Sequence, residues 1–377
     1  MKKLIGTVAV AALLATAAFA EISIGGWGRG LWSVFGYDGD ARMTHGISWA
    51  GPIGGWGGFN PRVGITVAGN SDNVGFVFGL NADGGTIQGH DIAYVWAKPW
   101  DFLRVAIGQI QDDTLRVNAA FGQFNWLRGN SIAGIGEDIT FRRIGGFGGY
   151  TAGGAFHGAE ISLTPIEGLY IAAAFKEAEG EGSQNSVVTK FVDVLKQSQY
   201  AVGYTIADLL AIKAQYIGGS ALADDYFGII NAAVDLLMIE NNFISIGAFI
   251  PTDFDYDVVV SAAYHGGFDA LSLNLLLAAK INDNFGLDIG VGIGYDFGNS
   301  LAIEADVRAG LNFPDGGDAS GDITIGAFFT KGFANGVCGI GAEVAIPFGD
   351  GHVGNISLLG ENDSVSVAIP IKVEYWF

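Results

Sequence analysis

Every second residue from Val365 to Phe377 is apolar, whereas the residues between them are mostly polar. The apolar set comprises Val365, Val367, Ile369, Ile371, Val373, Tyr375 and Phe377. Side chains two positions apart lie on the same face of a β-strand, so this segment predicts a strand with one wholly apolar face. A helix would mix the two sets, because helical side chains repeat every 3.6 residues.

The same alternation recurs along the chain. It is found at residues 285–295, 301–313, 256–264 and 271–277, and earlier at 74–80, 92–96 and 200–206. A single instance is weak evidence, because a half-buried strand of a soluble sandwich has the same pattern. Turn signals such as Asp315-Gly316-Gly317 separate the segments. The repetition predicts about 18 strands, within a range of about 16–20.

The first twenty residues have the features of an export signal. Lys2 and Lys3 are followed by an apolar run from Leu4 to Leu14, and Ala18-Phe19-Ala20 is a small-residue cleavage site. The alternative, a transmembrane anchor, needs a longer apolar run. We therefore expect residues 1–20 to be a cleaved signal peptide.

The remainder of the chain is apolar but contains no candidate membrane helix. Hydrophobic residues make up 50% and charged residues 15%, against about 25% charged residues in soluble domains. The longest apolar run, Phe227 to Ile239, is interrupted by Asn231 and Asp235. Because only helices and closed barrels satisfy their backbone within lipid, residues 21–377 are predicted to form a single all-β transmembrane antiparallel barrel.

Two stretches interrupt the regular strand spacing, and we predict that both are long extracellular loops. Residues 177–198 begin with acidic residues and continue with apolar residues at helical spacing, which indicates a short helix. Residues 109–145 contain both signs of charge and are candidates for a loop that narrows the lumen; the alternative is a loop that lies outside. The candidate constriction residues are Asp112, Asp113, Arg116, Arg128, Glu137, Asp138, Arg142 and Arg143.

The final strand resembles the insertion signal of bacterial outer-membrane proteins, an aromatic last residue preceded by apolar residues at alternate positions. The matching residues are Ile369, Ile371, Val373, Tyr375 and Phe377. The resemblance implies periplasmic chaperones and the barrel-assembly machinery as partners, and pairing of this strand with the first strand. The segment from Ile22 to Leu31 looks like the first strand of Gly-rich spirochaete barrel proteins.

The architecture of residues 21–377 is similar to that of porins, which implies an outer-membrane location with lipid around the barrel. General porins are commonly trimers, so a homotrimer is one expectation, although no sequence pattern marks an interface. No motif identifies a porin subfamily, and so no pore residues are transferred by position.

The strand alternation also predicts which charged residues face the lumen. They are Asp257, Asp288, Glu304, Asp306, Arg308, Glu343, Lys372 and Glu374, an excess of acids over bases. Acidic linings favour cations, so the hypothesis is a water-filled channel for passive diffusion of small hydrophilic solutes, with mild cation preference. Alternatively, these charges only solvate the wall. Many inward positions, such as Gly290 and Gly292, are small; they either leave the lumen open or permit close approach of other groups.

The sequence contains no pattern typical of catalysis or cofactor binding. The five histidines are scattered, and no spacing suggests a metal site. We therefore expect no enzyme activity, no cofactor and no metal. The formal charge of −20 also argues against nucleic acid as a partner.

Two other functions stay open at this point. One is a substrate-specific transporter for hydrophobic compounds, in which the Trp-rich residues 25–60 plug the lumen. The other is a surface structural protein or adhesin, in which the loops are active and the barrel serves as an anchor.

Overall fold

A computed structural model describes the strands of the chain and many of their connections. The described residues are 21–37, 39, 41–42, 62–83, 86–110, 112, 114–115, 156–176, 192, 195–196, 198–218, 228–252, 258–281, 285–349 and 364–377. The predicted signal peptide, residues 1–20, lies outside them. Among the residues described, no helix is long and apolar enough to cross a membrane.

The described residues form nineteen strands in one sheet. Their bounds are β1 Glu21–Tyr37, β2 Ala41–Arg42, β3 Arg62–Asn70, β4 Val74–Asp83, β5 Thr86–Trp100, β6 Leu103–Ile110, β7 Phe156–Leu163, β8 Leu169–Lys176, β9 Gln199–Ile206, β10 Leu210–Ile217, β11 Ile229–Leu236, β12 Asn242–Pro251, β13 Val258–Phe268, β14 Leu271–Ile281, β15 Phe285–Gly298, β16 Leu301–Phe313, β17 Ser320–Phe333, β18 Gly336–Phe348 and β19 Ser366–Trp376. Because β2 is a two-residue extension paired to the end of β1, the barrel itself has 18 strands.

The sheet closes on itself. Each long strand pairs antiparallel with its neighbours in the chain, and β1 pairs with both β3 and β19. In the closing seam Trp27 lies opposite Trp376, and Tyr37 lies opposite Val367. The prediction of a transmembrane antiparallel barrel of about 18 strands is confirmed, as is the pairing of the last strand with the first.

The two faces of the wall differ in exposure and polarity. In β15 the outward side chains of Ile289, Val291 and Ile293 are exposed, whereas the inward Asp288 is buried. The other described strands of this half, such as β16 and β17, repeat the alternation. The outer face is therefore an apolar band suited to lipid, and the inner face carries the polar groups.

Exposed aromatic side chains border this band at both ends. The rings of Phe285 and Phe313 are 5.8 Å apart at one end, and those of Tyr295 and Phe297 are 5.0 Å apart at the other. About ten residues of tilted strand separate the two groups, which corresponds to about 25 Å along the barrel axis. That height matches the apolar band of outer-membrane barrels, which aromatic girdles flank at both interfaces.

The connections are short at the end that holds Phe377 and longer at the opposite end. The β15–β16 turn consists of Asn299 and Ser300, with φ angles of 52° and 60°, as a tight hairpin requires. At the opposite end, residues 111–155 connect β6 to β7 and residues 177–198 connect β8 to β9. Long extracellular and short periplasmic connections are the usual pattern, and Val192, Leu195 and Lys196 of the second connection are helical.

Two parts of the wall differ in strand length. Strands β6 to β9, here called the short wall, have 8 residues each. Strands β15 to β18, here called the long wall, have 13 or 14 residues each.

Candidate functional site on the inner face of the barrel

The long wall and the adjoining β19 bring most of the predicted lumen-facing charges together. Asp288, Glu304, Asp306, Arg308, Glu343 and Lys372 all lie on the inner face, with only 2 to 6% of their surface exposed. Glu374 is half-buried on the same face of β19, and Asp257 lies outside the described residues.

Arg308 is the centre of this charged group. Its Nε atom lies 2.5 Å from Oδ2 of Asp306, and its Nη2 atom donates to Oε2 of Glu343 at 2.7 Å. A buried charge is costly unless a partner compensates it, and an arginine between two carboxylates satisfies this condition. Asp306 and Arg308 share one strand, whereas Glu343 reaches the guanidinium from β18.

The inward glycines of β15 lie beside these large side chains. Gly290 lies directly opposite Arg308, Gly292 opposite Asp306, and Gly294 opposite Glu304. On the other side of β16, Gly326 of β17 lies opposite Asp306. A Cβ atom on Gly326 would lie 3.1 Å from Oδ1 of Asp306. At these positions the small residues accommodate the neighbouring charges.

Several inner-face residues were missed by the sequence reasoning. Asp322 of β17 is buried in the long wall. In β10 to β12, Lys213 pairs with Asp235, and Ser245 Oγ donates to the same carboxylate at 2.6 Å. Asn231 and Asp235, which interrupt the apolar run of β11, are both buried on its inner face. Asn231 and Asp235 are four positions apart, and side chains at an even spacing share one face of a strand. This spacing was the signal that could have placed both on the inner face.

The short wall has a different inner face, on which small apolar side chains lie beside buried polar groups such as Glu160, Ser162 and Gln199. Ala106, Ala172, Ala174 and Ala201 form a buried apolar cluster, against which Tyr94 and Trp96 of β5 pack. The alternation at residues 92–96 suggested an outward apolar face for Tyr94 and Trp96; that interpretation was wrong. The exposed residues of this segment are Ala93 and Val95, and the two rings face inward.

One ion pair belongs to the short wall. Arg104 Nη1 donates to Glu160 Oε1 at 3.3 Å, and Glu160 is buried. The guanidinium also lies 5.5 Å from the ring centre of Tyr94 and 5.9 Å from that of Trp96. Stacking on aromatic faces stabilises a cation that is partly removed from water.

The chain after β6 returns to this inner face. The Tyr170 hydroxyl donates to Asp112 Oδ2, and the Thr114 amide donates to Asp112 Oδ1 at 2.8 Å. Leu115 belongs to the buried apolar cluster and packs on Gly203, where an added Cβ atom would lie 2.3 Å from Leu115 Cδ2. Asp112, Thr114 and Leu115 are therefore bound inside the barrel.

The hydrogen bonds also set the charge state of Asp112. Burial alone would raise the pKa of its carboxyl group, but the hydrogen bonds from Thr114 and Tyr170 outweigh burial and place this pKa below its ordinary value. The other candidate constriction residues lie outside the described residues; they are Asp113, Arg116, Arg128, Glu137, Asp138, Arg142 and Arg143.

The residues of the insertion signal lie on or just after the last strand. Val373, Tyr375 and Phe377 are exposed on the outer face, and Ile369 and Ile371 lie between the same two neighbouring strands. Phe377 exchanges two backbone hydrogen bonds with Gly26 of β1, each 3.0 Å long. The apolar residues that define the signal thus also form the lipid-facing side of the closing seam.

Structural comparisons identify barrels of similar extent. OccAB4 of Acinetobacter baumannii matches with a TM-score of 0.57 and 9% identity, over 95% of this chain and 98% of that one. OpdQ of Pseudomonas aeruginosa matches with a TM-score of 0.53 and 12% identity, over 95% and 98%. OccAB3 of Acinetobacter baumannii has a TM-score of 0.53 and 9% identity, over 96% and 99%.

The sequence comparisons add no closer relative, since no family model and no curated protein matches the chain. The likeness of the first strand to spirochaete proteins stays a prediction. At identities near one in ten, the structural likeness concerns the fold. The chain has the fold of the outer-membrane porins, a closed antiparallel barrel with an apolar outer face and a polar inner face.

Proposed function

We propose that the protein is an outer-membrane channel through which small hydrophilic solutes diffuse passively, without catalysis. One observation carries the proposal: 18 strands close into a ring whose outer face is apolar and whose inner face bears buried polar and charged groups. A ring of this size has room for an aqueous lumen. The alternative of a transporter for hydrophobic compounds is less favoured, because the inner face of the long wall is charged.

The proposed lumen is narrow and prefers cations. The charges of the long wall are almost fully buried, so little of each side chain faces open water. Asp288, Glu304, Asp306, Asp322 and Glu343 outnumber Arg308 in this wall, and acidic linings favour cations. Asp112 and Leu115 contact the short wall, which supports the hypothesis that the segment after β6 narrows the lumen.

The remaining parts of the proposal concern export and assembly. Residues 1–20 act as a cleaved signal peptide, periplasmic chaperones deliver the chain, and the final strand directs insertion by the barrel-assembly machinery. The mature chain then lies in outer-membrane lipid, and a homotrimer is the proposed assembly. The exposed outer face of Val373, Tyr375 and Phe377 supports the role of the final strand.

Planar-bilayer recording of the refolded chain tests the channel. We expect discrete conductance steps. In a potassium chloride gradient, we expect a reversal potential whose sign indicates a preference for cations. Replacing Glu304 with Gln and Asp322 with Asn together should shift this potential toward zero. The absence of conductance in folded, inserted protein would refute the channel, whereas anion selectivity would refute only the cation preference.

A further inference from the structure

A cavity of about 430 Å³ is lined by residues of β5 to β8 together with Asp112 and Thr114. Phe102 and Thr164, from the β5–β6 and β7–β8 connections, line it and place it near the end of the barrel with the short turns. Its volume is in the usual range for small-molecule sites. The cavity is therefore large enough to hold a solute on its way through the proposed channel.

Hydroxyl groups dominate the polar lining of this cavity. They belong to Tyr94, Thr114, Ser162, Thr164 and Tyr170. A hydroxyl group can donate one hydrogen bond and accept others. Such a lining suits a solute whose own groups both donate and accept, which is the property of sugars and other polyols.

Two of the charged groups that line the cavity already have partners. Arg104 pairs with Glu160 at 3.3 Å, and Asp112 accepts hydrogen bonds from Tyr170 and Thr114. The hydroxyls of Thr114 and Tyr170 also donate to Asp112, but their oxygens can still accept hydrogen bonds from a solute. Lys98 and Asp101, which also line the cavity, are exposed and opposite in sign. A solute with a net charge would lose its hydrating water on entering the cavity. It would find the charges of Arg104 and Asp112 already compensated there, so its binding is unfavourable.

We propose that this cavity is a binding subsite for neutral polyhydroxylated solutes of mono- or disaccharide size. The proposal rests on the channel function and specifies one solute class that the channel takes. Phe102 adds an apolar surface against which the C–H groups of a sugar can pack. Asp112 and Thr114 complete the site, because both line the cavity together with residues of β5 to β8.

Sucrose-induced interruption of single-channel current is the direct test. Sucrose is added to wild-type channels in a bilayer, on each side in turn, and the interruptions are counted against concentration. We expect saturable block with a midpoint in the millimolar range, which corresponds to about −4 kcal/mol. Polyethylene glycol of the same hydrodynamic radius serves as the size control and should produce no saturable block.

A pair of matched variants locates the subsite. Thr164→Val removes one lining hydroxyl, and Thr324→Val makes the same change at a buried inner-face position of the long wall. We expect Thr164→Val to raise the midpoint about three- to tenfold, the cost of one hydrogen bond, and Thr324→Val to leave it unchanged. Both variants should still insert and form open channels, and each sucrose midpoint is measured relative to the variant's own conductance in potassium chloride.

The outcomes separate the two proposals. Folded protein without conductance would refute the channel itself. Normal conductance would support the channel but overturn the subsite if sucrose gave no saturable block, if polyethylene glycol blocked equally, or if both threonine variants behaved alike. Tighter block by glutamate or lysine than by sucrose would overturn the neutral solute class.

Discussion

The long and short walls are built by the same alternation but completed in different ways. In the long wall, Arg308 and Asp306 of β16 and Glu343 of β18 compensate one another across the intervening β17. In the short wall, alanines form a buried apolar cluster on the inner face, and Leu115 and Asp112 from the chain after β6 bind to that face. The long wall thus pairs its arginine with carboxylates of its own strands, whereas the short wall receives a separate segment.

The two walls show how a barrel with fixed strand pairing can vary the space inside its lumen. Charged side chains on the long wall occupy space that the opposing glycines leave free. Small side chains on the short wall leave a surface on which another segment can lie, because close packing needs a complementary partner. Breaking each wall should therefore have different consequences, which the following experiments measure in order of expected effect.

Arg308→Met should have the largest effect on stability. It leaves Asp306 and Glu343 buried without their shared cation, which costs about 3–5 kcal/mol of unfolding free energy. Urea unfolding in lipid vesicles measures the loss. Arg308→Lys, which keeps the charge, should be closer to wild type, and equal stability of Arg308→Met and wild type would show that the ion pairs do not hold the long wall.

Val291→Arg tests which face of the long wall contacts lipid. Val291 is exposed near the centre of β15, and an arginine at mid-membrane costs about 2–4 kcal/mol of folding free energy. Leu271→Arg, beside the β13–β14 turn, is the depth control and should cost about 0–1 kcal/mol. The same unfolding assay compares them; equal costs would place Val291 away from the membrane centre.

Tyr170→Phe tests the attachment of residues 112–115 to the short wall. Loss of the hydroxyl leaves the buried Asp112 carboxylate with one donor fewer, at a cost of about 1–3 kcal/mol. Because the segment is then less firmly bound, we expect higher or noisier single-channel conductance. Tyr204→Phe, on the exposed outer face of β9, is the matched control, and identical recordings for both variants would contradict the attachment.

Acidification should reproduce the effect of Tyr170→Phe more weakly. The pKa of Asp112 lies below its ordinary value, so its stabilising contribution is complete above about pH 4 and is lost as the pH falls through the lowered pKa. Conductance should therefore change below about pH 4. In Asp112→Asn this change in conductance should be absent. A change of the same size in this variant would mean that other carboxyl groups cause it.

Much of the wall was predictable from local pattern. The outward Ile289, Val291 and Ile293 and the inward Asp288 follow from a period of two, because neighbouring side chains of a strand point to opposite faces. The pattern failed at Tyr94 and Trp96, since hydrophobicity alone does not distinguish a lipid-facing ring from one that packs inside the barrel. The pattern also did not identify Asp235 as an inner-face residue, because Asp235 lies within a run of apolar residues.

The sequence by itself determined the fold class, the two faces of each clear strand and the inward position of residues such as Glu304 and Lys372. Only the tertiary structure decided that Glu343 meets Arg308, that Gly290 lies opposite that arginine, and that Asp112 reaches Tyr170. The physical reason is the range of the interactions. Alternation is a property of adjacent residues, whereas these contacts depend on strand register and on the return of a chain segment to a distant wall.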